Sequence, residues 1–450
     1  MTGSSAARSG VDGLRAAVQG EVLTDLDAAY EVAGKTFNVQ GYPAVVVRCA
    51  GAEDIAAALR YAGEHQLPVA VRSGGHHPAG FGTNDGGLVI DVGLLDEVSV
   101  LPDRRTVRIG TGATWGRVAK ELGSSGLAIS SGDTAAVGVG GLLGGGGIGW
   151  MVRRLGLALD SVVGAEVVTA DGVARRVDAV NEPELFWGVR GSAGSLGVVT
   201  SYDVVAVEQP TVLFGSLLFP WTQLEQVVTG WAAYLADAPV ELSSSVQLPP
   251  TMVADRQAPI AVMVCVSGDL AQAEQLLAPL RALGTVLTDT VAEIPYGDIL
   301  TTEQMPPGWT LRMRNGLFNR WAPELVETLA EARRRMPAMA VDVRALGGAY
   351  GAVGADAAAF AHRGARFMVN AVLLGTTEMY GGQVDEFEEL WKGLAPERAY
   401  GNFLSHPTAD DLDRCFPKSH RDRLAALKDA VDPQGVFGTA LTVPPTERSA

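Results

Sequence analysis

Cysteine is scarce in this chain. Cys49, Cys265 and Cys415 are the only three in 450 residues; they stand far apart and form no C-x-x-C pair. That scarcity argues against a disulfide framework or a structural zinc site and fits a reducing compartment; no metal is expected. Basic residues are outnumbered, 35 Lys and Arg against 51 Asp and Glu, giving a net charge of −16. Nucleic acids and anionic membrane surfaces are bound by clustered cations, so neither is an expected partner. Long apolar runs are also missing. No stretch of about 18 apolar residues free of clustered glycine occurs, which argues against a membrane span. The opening MTGSSAARSGVDGLRAAVQG lacks the apolar core of a secretory signal. The expectation is a cytoplasmic protein.

What is present is a large core and much glycine. Apolar residues make up 47% of the chain and charged residues 19%, so disorder is not expected. The segments 43–51, 67–75, 87–92 and 106–113 read as short β-branched strands. Residues 52–66 and 114–126 carry apolar residues at helical spacing. This is a mixed unit of short strands, not a succession of long βαβ repeats. Asp171-Gly172 marks a hairpin, and a long strand runs to Pro210. From 211 onward strands such as 258–268 alternate with helices such as 270–284, the pattern of an antiparallel sheet covered by helices. An amphipathic helix at 419–431 closes the pattern.

Two stretches demand a chemical reason. From Gly138 to Gly149, GVGGLLGGGGIG, eight of twelve residues are glycine, each less favourable than alanine by up to about 1 kcal/mol in a regular element. Turns with positive φ, or close approach of backbone N–H groups to a large ligand, would justify them. Gly144, Gly146 and Gly149 satisfy G-x-G-x-x-G, but the preceding SSGDTAAVGVGG is a poor buried strand, so a Rossmann site is not expected. No P-loop sequence occurs. The other stretch is VRSGGHHPAG, residues 71–80, where two histidines follow an apolar strand in a glycine-lined bend. Together the two stretches suggest a cradle for one extended cofactor with a pyrophosphate, neutralised by backbone amides.

RSGGHHPAG, TNDGGLVIDV, VGVGGLLGGGGIGWMVRRLGLALDSVVGAEVVTADG, PELFWGVRGSAGSLGVVT and the late YGNF with RLAALKDAVDPQGVF, in this order, resemble the vanillyl-alcohol oxidase/p-cresol methylhydroxylase flavoprotein superfamily. The berberine bridge enzyme-like branch is the nearer match, and the likeness covers nearly the whole chain. It implies an α+β, two-domain p-cresol methylhydroxylase-type FAD-binding fold. Its parts would be an N-terminal leader and helix (1–38), an FAD-binding domain (39–210), a substrate domain with a helix-covered antiparallel sheet (211–398), and a C-terminal segment (399–450) returning to the FAD side. His76 matches the histidine joined to the flavin 8α-methyl carbon. The resemblance assigns cofactor contacts to Arg72, Ser73, Gly74, Gly75, His77 and Gly80; to Gly132, Asp133 and Val137; to Gly138, Gly140, Gly141, Gly144 and Gly149; to Gly197, Val198 and Val199; and to Asn402 and Phe403. His77 reads as a loop residue, with a base during flavin attachment as the alternative. Thr134 stands where some members carry a second flavin-linking cysteine, so single attachment is expected, with the three cysteines as core or bystander residues. Val137 matches the place where O₂ reaches reduced flavin.

On the substrate side the chain departs from the branch. Asn370 stands where plant members carry a glutamate base, and Phe403 where many relatives place a tyrosine. Asp342 and Arg344 share one face of a strand; in nicotine-oxidising members the matching strand faces the flavin. Asp342, Asn370, Tyr400 and Asn402 are therefore the candidate catalytic residues, with Asp342 as base or amine partner and a surface ion pair as the bland alternative. The expected activity is a covalently flavinylated FAD oxidase. It would act on a small secondary-metabolite alcohol, amine or hydroquinone, with O₂ as acceptor. The alternatives are a flavin dehydrogenase, a drug or radical oxidase of the mitomycin-resistance type, and a non-catalytic small-molecule binder.

Overall fold

Val45, Val46 and Val47 have no exposed surface on either face of their strand, as expected for a parallel strand buried on both sides. Strand Val45–Arg48 and strand Val69–Arg72 both run parallel to Leu88–Asp91, which lies between them, and Glu21–Leu23 adds an antiparallel edge. One face of this four-stranded sheet packs Val45, Val47, Leu88 and Ile90 against the helix Ala52–Glu64. The other packs Val46, Ala70 and Val89 against Leu23 and Ala33. The computed structural model describes residues 10–192, 194–251, 257–302, 305–321, 323–394 and 396–446.

A five-stranded antiparallel sheet follows, in the order Val98–Val100, Thr106–Gly110, Val198–Val205, Val162–Val168 and Ala174–Asp178. The last two strands flank the turn at Asp171 and Gly172, whose φ is +77°. The third large sheet is antiparallel and eight-stranded, and begins at Thr211–Phe219. Its central strands are Ile260–Val266, Leu242–Leu248, Met339–Ala345 and Phe367–Gly375, and Thr310–Phe318 forms the edge beside Phe367–Gly375.

Alternation decides what this third sheet does with its two faces. Val341, Val343, Val369 and Ala371 point into a core shared with the helices Leu224–Asp237, Ala273–Arg281 and Val384–Leu394. Their neighbours must point the other way. That second face carries Asp342, Arg344, Met368 and Asn370. Met368 and Leu317 join Ile148, Phe360 and Tyr400 in a separate apolar cluster, so the face packs toward the glycine-rich segment.

The C-terminal residues run back over the first two sheets. Lys428, on the helix Lys418–Val431, is almost fully buried; its ammonium donates to the carbonyls of Ser195 (2.8 Å) and Phe437 (3.0 Å) and pairs with Asp432 at 3.1 Å. Thr439 donates to the Val69 carbonyl at 2.8 Å.

Candidate functional site

Two glycine loops meet backbone to backbone. A methyl group on Gly74 would stand 2.8 Å from the Gly138 Cα and 3.1 Å from the Ala136 carbonyl oxygen. Ser73 Oγ donates to the Thr111 carbonyl at 2.6 Å and accepts from the Gly140 N–H at 3.3 Å, fixing the two loops to each other. Beneath them Arg72 is consumed by structure: its guanidinium pairs with Asp91 at 2.7 Å and donates to the Ala33 carbonyl. Gly75 has φ +65°, a left-handed conformation that a side chain strains. The backbone N–H groups of Gly74, Gly75, His76 and His77 have no acceptor among the described residues. Four successive unpaired N–H groups around one left-handed residue form an anion-binding concavity.

The glycine-rich stretch differs from a pure loop: Val139–Gly145 is a short helix. Close approach, more than special φ angles, explains its glycines. A Cβ on Gly145 would meet the Asn402 carboxamide, with Cγ at 2.6 Å; only Gly146 and Gly147 in this stretch have positive φ.

The two histidines have different surroundings. His76 is half-buried, stacks on Phe37 (ring centroids 5.0 Å apart, planes 18° apart), and its ring makes no hydrogen bond among the described residues. Burial holds its pKa below the ordinary histidine value. His77 uses both nitrogens. Nδ1 accepts from the Ala79 N–H at 3.1 Å, which leaves Nε2–H to donate to the Gly401 carbonyl at 3.1 Å. Burial pushes its pKa down to about 4, against the opposing pull of Gly401. It is a neutral strut between this loop and the C-terminal segment, and its occupied nitrogens leave no base.

Tyr400 Oη accepts from the Gly147 N–H at 2.9 Å and from Asn402 Nδ2 at 3.1 Å. Burial raises its pKa to about 12, so it stays protonated and its own hydrogen remains available to donate. Asn315, which the sequence reading missed, holds this turn: Nδ2 donates to the carbonyls of Tyr400 (2.9 Å) and Phe403 (3.0 Å), and Oδ1 accepts from the Tyr400 N–H at 2.7 Å.

On the sheet, Gln247, Asp342, Asn370 and Asn315 are cross-strand partners in one row. Arg344 Nε donates to Asp342 Oδ2 at 2.5 Å and Nη2 to Asp133 Oδ2 at 2.6 Å. Burial opposes the charge on Asp133, but Arg344 outweighs it and holds that carboxyl below its usual range. Burial likewise works against Arg344, and the two aspartates overcome it. The opposite oxygens are the informative ones. Asp342 Oδ1, Asn370 Oδ1, Ser243 Oγ and Ser245 Oγ are buried on this same face without a hydrogen-bond partner among the described residues. Unpaired buried acceptors are costly and mark places where a ligand supplies the donors.

One long cavity gathers most of the expected residues: Arg72 through His77, Gly132, Asp133, Val137, Gly138, Gly140, Gly141, Gly197, Val199, Tyr400, Asn402 and Phe403 line it. Four cofactor positions fall elsewhere. Gly80 is a turn residue with φ +74° packed on Val39, and Gly149 lies against the Ser131 carbonyl. Gly144 accepts from the Gly191 N–H at 2.8 Å inside the short helix. Val198 points into the core, because strand alternation gives the cavity to Val199. Asp342, Arg344 and Asn370 do not line this cavity; Arg344 links Asp342 to Asp133, which does. Cys415, expected as a core or bystander residue, is buried and lines the cavity; burial raises its thiol pKa, which leaves it a poor nucleophile. Among the described residues no group of His, Cys, Asp and Glu could hold a metal ion, and no helix is long and apolar enough to cross a membrane.

Comparison with known proteins agrees with this geometry. The profile of the FAD binding domain family matches residues 43–178. The chain is 34% identical to (R)-6-hydroxynicotine oxidase of Paenarthrobacter nicotinovorans over 287 residues, covering 63% of this chain and 62% of that one. An uncharacterized FAD-linked oxidoreductase of Bacillus subtilis is 29% identical, covering 96% and 98%. The crystal structure of 6-hydroxy-D-nicotine oxidase from Arthrobacter nicotinovorans superposes with TM-score 0.82 at 27% identity, covering 95% of this chain and 98% of that one. The fold is shared as well with a xylooligosaccharide oxidase of Myceliophthora thermophila, at TM-score 0.87 and 21% identity over 99% and 100% of the two chains. The α+β p-cresol methylhydroxylase-type fold expected from the sequence is therefore the one observed, and the chain is an FAD-dependent oxidoreductase similar in sequence and fold to 6-hydroxynicotine oxidases.

Proposed function

We propose that the chain is an oxidase carrying one FAD bound covalently through His76, which takes hydride from a small alcohol, amine or hydroquinone and passes the electrons to O₂. The observation that carries this reading is the juxtaposition at residues 74–77: an imidazole whose nitrogens have no partner among the described residues, on a loop whose four N–H groups lack acceptors among them, in the wall of the long cavity. A pyrophosphate satisfies such N–H groups without lysines, which suits an acidic chain. Gly74, Gly138 and Gly145 let the cradle's own segments close on one another, Gly74 on Gly138 and Gly145 on Asn402, which sets the shape of the cavity wall. FAD held there supplies a two-electron acceptor for hydride.

The chain's own residues then bind and orient the substrate. Arg344 keeps one oxygen of Asp342 and couples it to Asp133 in the cavity wall, while a substrate O–H or N–H that reaches past that wall would meet the buried acceptors Asp342 Oδ1 and Asn370 Oδ1. Asn370 is an amide and only orients; Asp342 is the group able to take a proton. Asn315 and His77 fix the Tyr400–Phe403 turn, and Tyr400, kept protonated by burial, donates a hydrogen bond and does not serve as the base. Relatives include a hydroxynicotine oxidase and oligosaccharide oxidases, whose substrates each carry at least one O–H donor, which supports a donor-bearing substrate.

A panel of amines, sugars and polyketide alcohols, screened for peroxide release and for bleaching of a yellow protein that recolours in air, tests the reading. The reading predicts that at least one class does both. Asn370 and Phe403, which replace the branch's usual base and tyrosine, favour a non-catalytic binder as the second reading; ligands that perturb the flavin spectrum without bleaching it would select that one.

A further inference from the structure

Phe37 and Asn38 lie before the matched FAD-binding region, which begins at residue 43, in a segment expected to be a leader. The structure places them on the His76 loop. The Phe37 N–H donates to the Gly75 carbonyl at 2.9 Å, and its ring stacks on His76. Asn38 Nδ2 donates to the Pro78 carbonyl at 2.8 Å and to the Leu311 carbonyl at 3.3 Å, while Oδ1 accepts from the Leu311 N–H at 3.0 Å. Leu311 belongs to the strand Thr310–Phe318 of the large sheet. Asn38 thus ties the loop on the far side of His76 to the substrate-side sheet, and Phe37 covers one face of the imidazole.

A ring with free nitrogens can rotate unless something holds its plane. Among the described residues His76 has no hydrogen bond to fix it, so the parallel stack on Phe37 is the contact that does. We infer that Phe37 is the positioning residue for flavin attachment: it sets the plane of the His76 imidazole so that a ring nitrogen faces the cofactor, with Asn38 anchoring the loop beneath it. The inference rests on the covalent reading above. In the net step the imidazole N–H and the flavin 8α C–H bonds break and an N–C bond forms. The two protons and two electrons released leave with dioxygen as hydrogen peroxide. Only a neutral imidazole has the lone pair for this bond. Burial alone holds His76 below the ordinary histidine range, and no charged neighbour contributes; Phe37 supplies part of that burial.

Full-length chain produced in riboflavin-starved cells and mixed with FAD tests the idea. Attachment is followed by flavin fluorescence that survives acid precipitation and denaturing electrophoresis. Phe37→Ala should slow attachment on the order of tenfold or more, as expected when a reacting group loses its orientation, and should move the acid limb of the rate to higher pH as His76 regains water. Phe37→Tyr, which keeps the stacked ring, should restore the rate and the limb. A wild-type rate and limb in Phe37→Ala would overturn the inference, as would equal slowing in Phe37→Tyr, because the stack would then not be what matters. Wild-type chain that never acquires acid-stable flavin refutes the covalent reading itself, so the two failures are told apart.

Discussion

Replacing Arg344 by methionine isolates the electrostatics of the substrate side. Arg344 is bound to Asp133 and Asp342 at 2.6 and 2.5 Å, and the three side chains are 17%, 33% and 15% exposed. Methionine preserves bulk but leaves two largely buried carboxylates without their cation. Removing one partner of a buried pair typically destabilises by about 3–5 kcal/mol; the partial exposure of Asp133 places the expectation near the lower end, about 3 kcal/mol. The pH dependence gives the sign. Asp133 has a depressed pKa in the folded chain, so its contribution is fully present above its unfolded value of 3.8 and is lost as pH falls through the lower folded value. In the variant the two carboxylates repel, and one takes up a proton at higher pH than in wild type. Urea unfolding from pH 7 down to pH 4 should therefore show a gap that is widest at pH 7 and narrows toward acid. A gap below about 1 kcal/mol at pH 7, the range of solvent-exposed pairs, or one independent of pH, would refute the reasoning.

Three further outcomes are expected. Gly74→Ala forces a methyl group against the Gly138 backbone and should lower stability by about 1–3 kcal/mol, with less flavin per purified chain, read by absorbance. Lys428→Met leaves Asp432, which is fully buried, without its cation, so a loss of about 3–5 kcal/mol in urea unfolding is predicted. His77 and His362 are both pushed down to about 4 by burial from an ordinary 6.5. The unfolded chain then binds more protons than the folded one between those values, so stability falls as pH drops from about 6.5 to about 4. His77→Asn should flatten that slope.

The cofactor side of this protein was legible because local sequence determines it. A glycine at 74 or 138 is needed wherever two backbones touch, and a histidine after Gly-Gly is visible without any tertiary knowledge. Alternation along the strand at 339–345 put Asp342 and Arg344 on one face, and the structure places both there. What sequence could not supply was the third dimension. The Asp133–Arg344 pair joins residues 211 positions apart. Asn315 is one more polar residue in a strand until the Tyr400 turn is seen to fold onto it. Phe37 lies in a segment whose weak periodicity gives no sign that it stacks on His76. Gly80, Gly144, Gly149 and Val198, also assigned to the cofactor by resemblance, do not line the cavity, because turn geometry, helix packing, contact with the Ser131 carbonyl and strand alternation respectively place them elsewhere. The helix at Val139–Gly145 was hidden because glycine disfavours helices; buried Val139, Leu142 and Leu143 stabilise it from the core side.

The mass of the acid-unfolded chain, followed by mapping of the peptide that carries any added mass, tests the central claim most directly. The account predicts a chain heavier by one FAD, with the addition on the peptide containing His76 and absent from His76→Ala. A chain of unmodified mass, or flavin found on Cys415 instead, would contradict it.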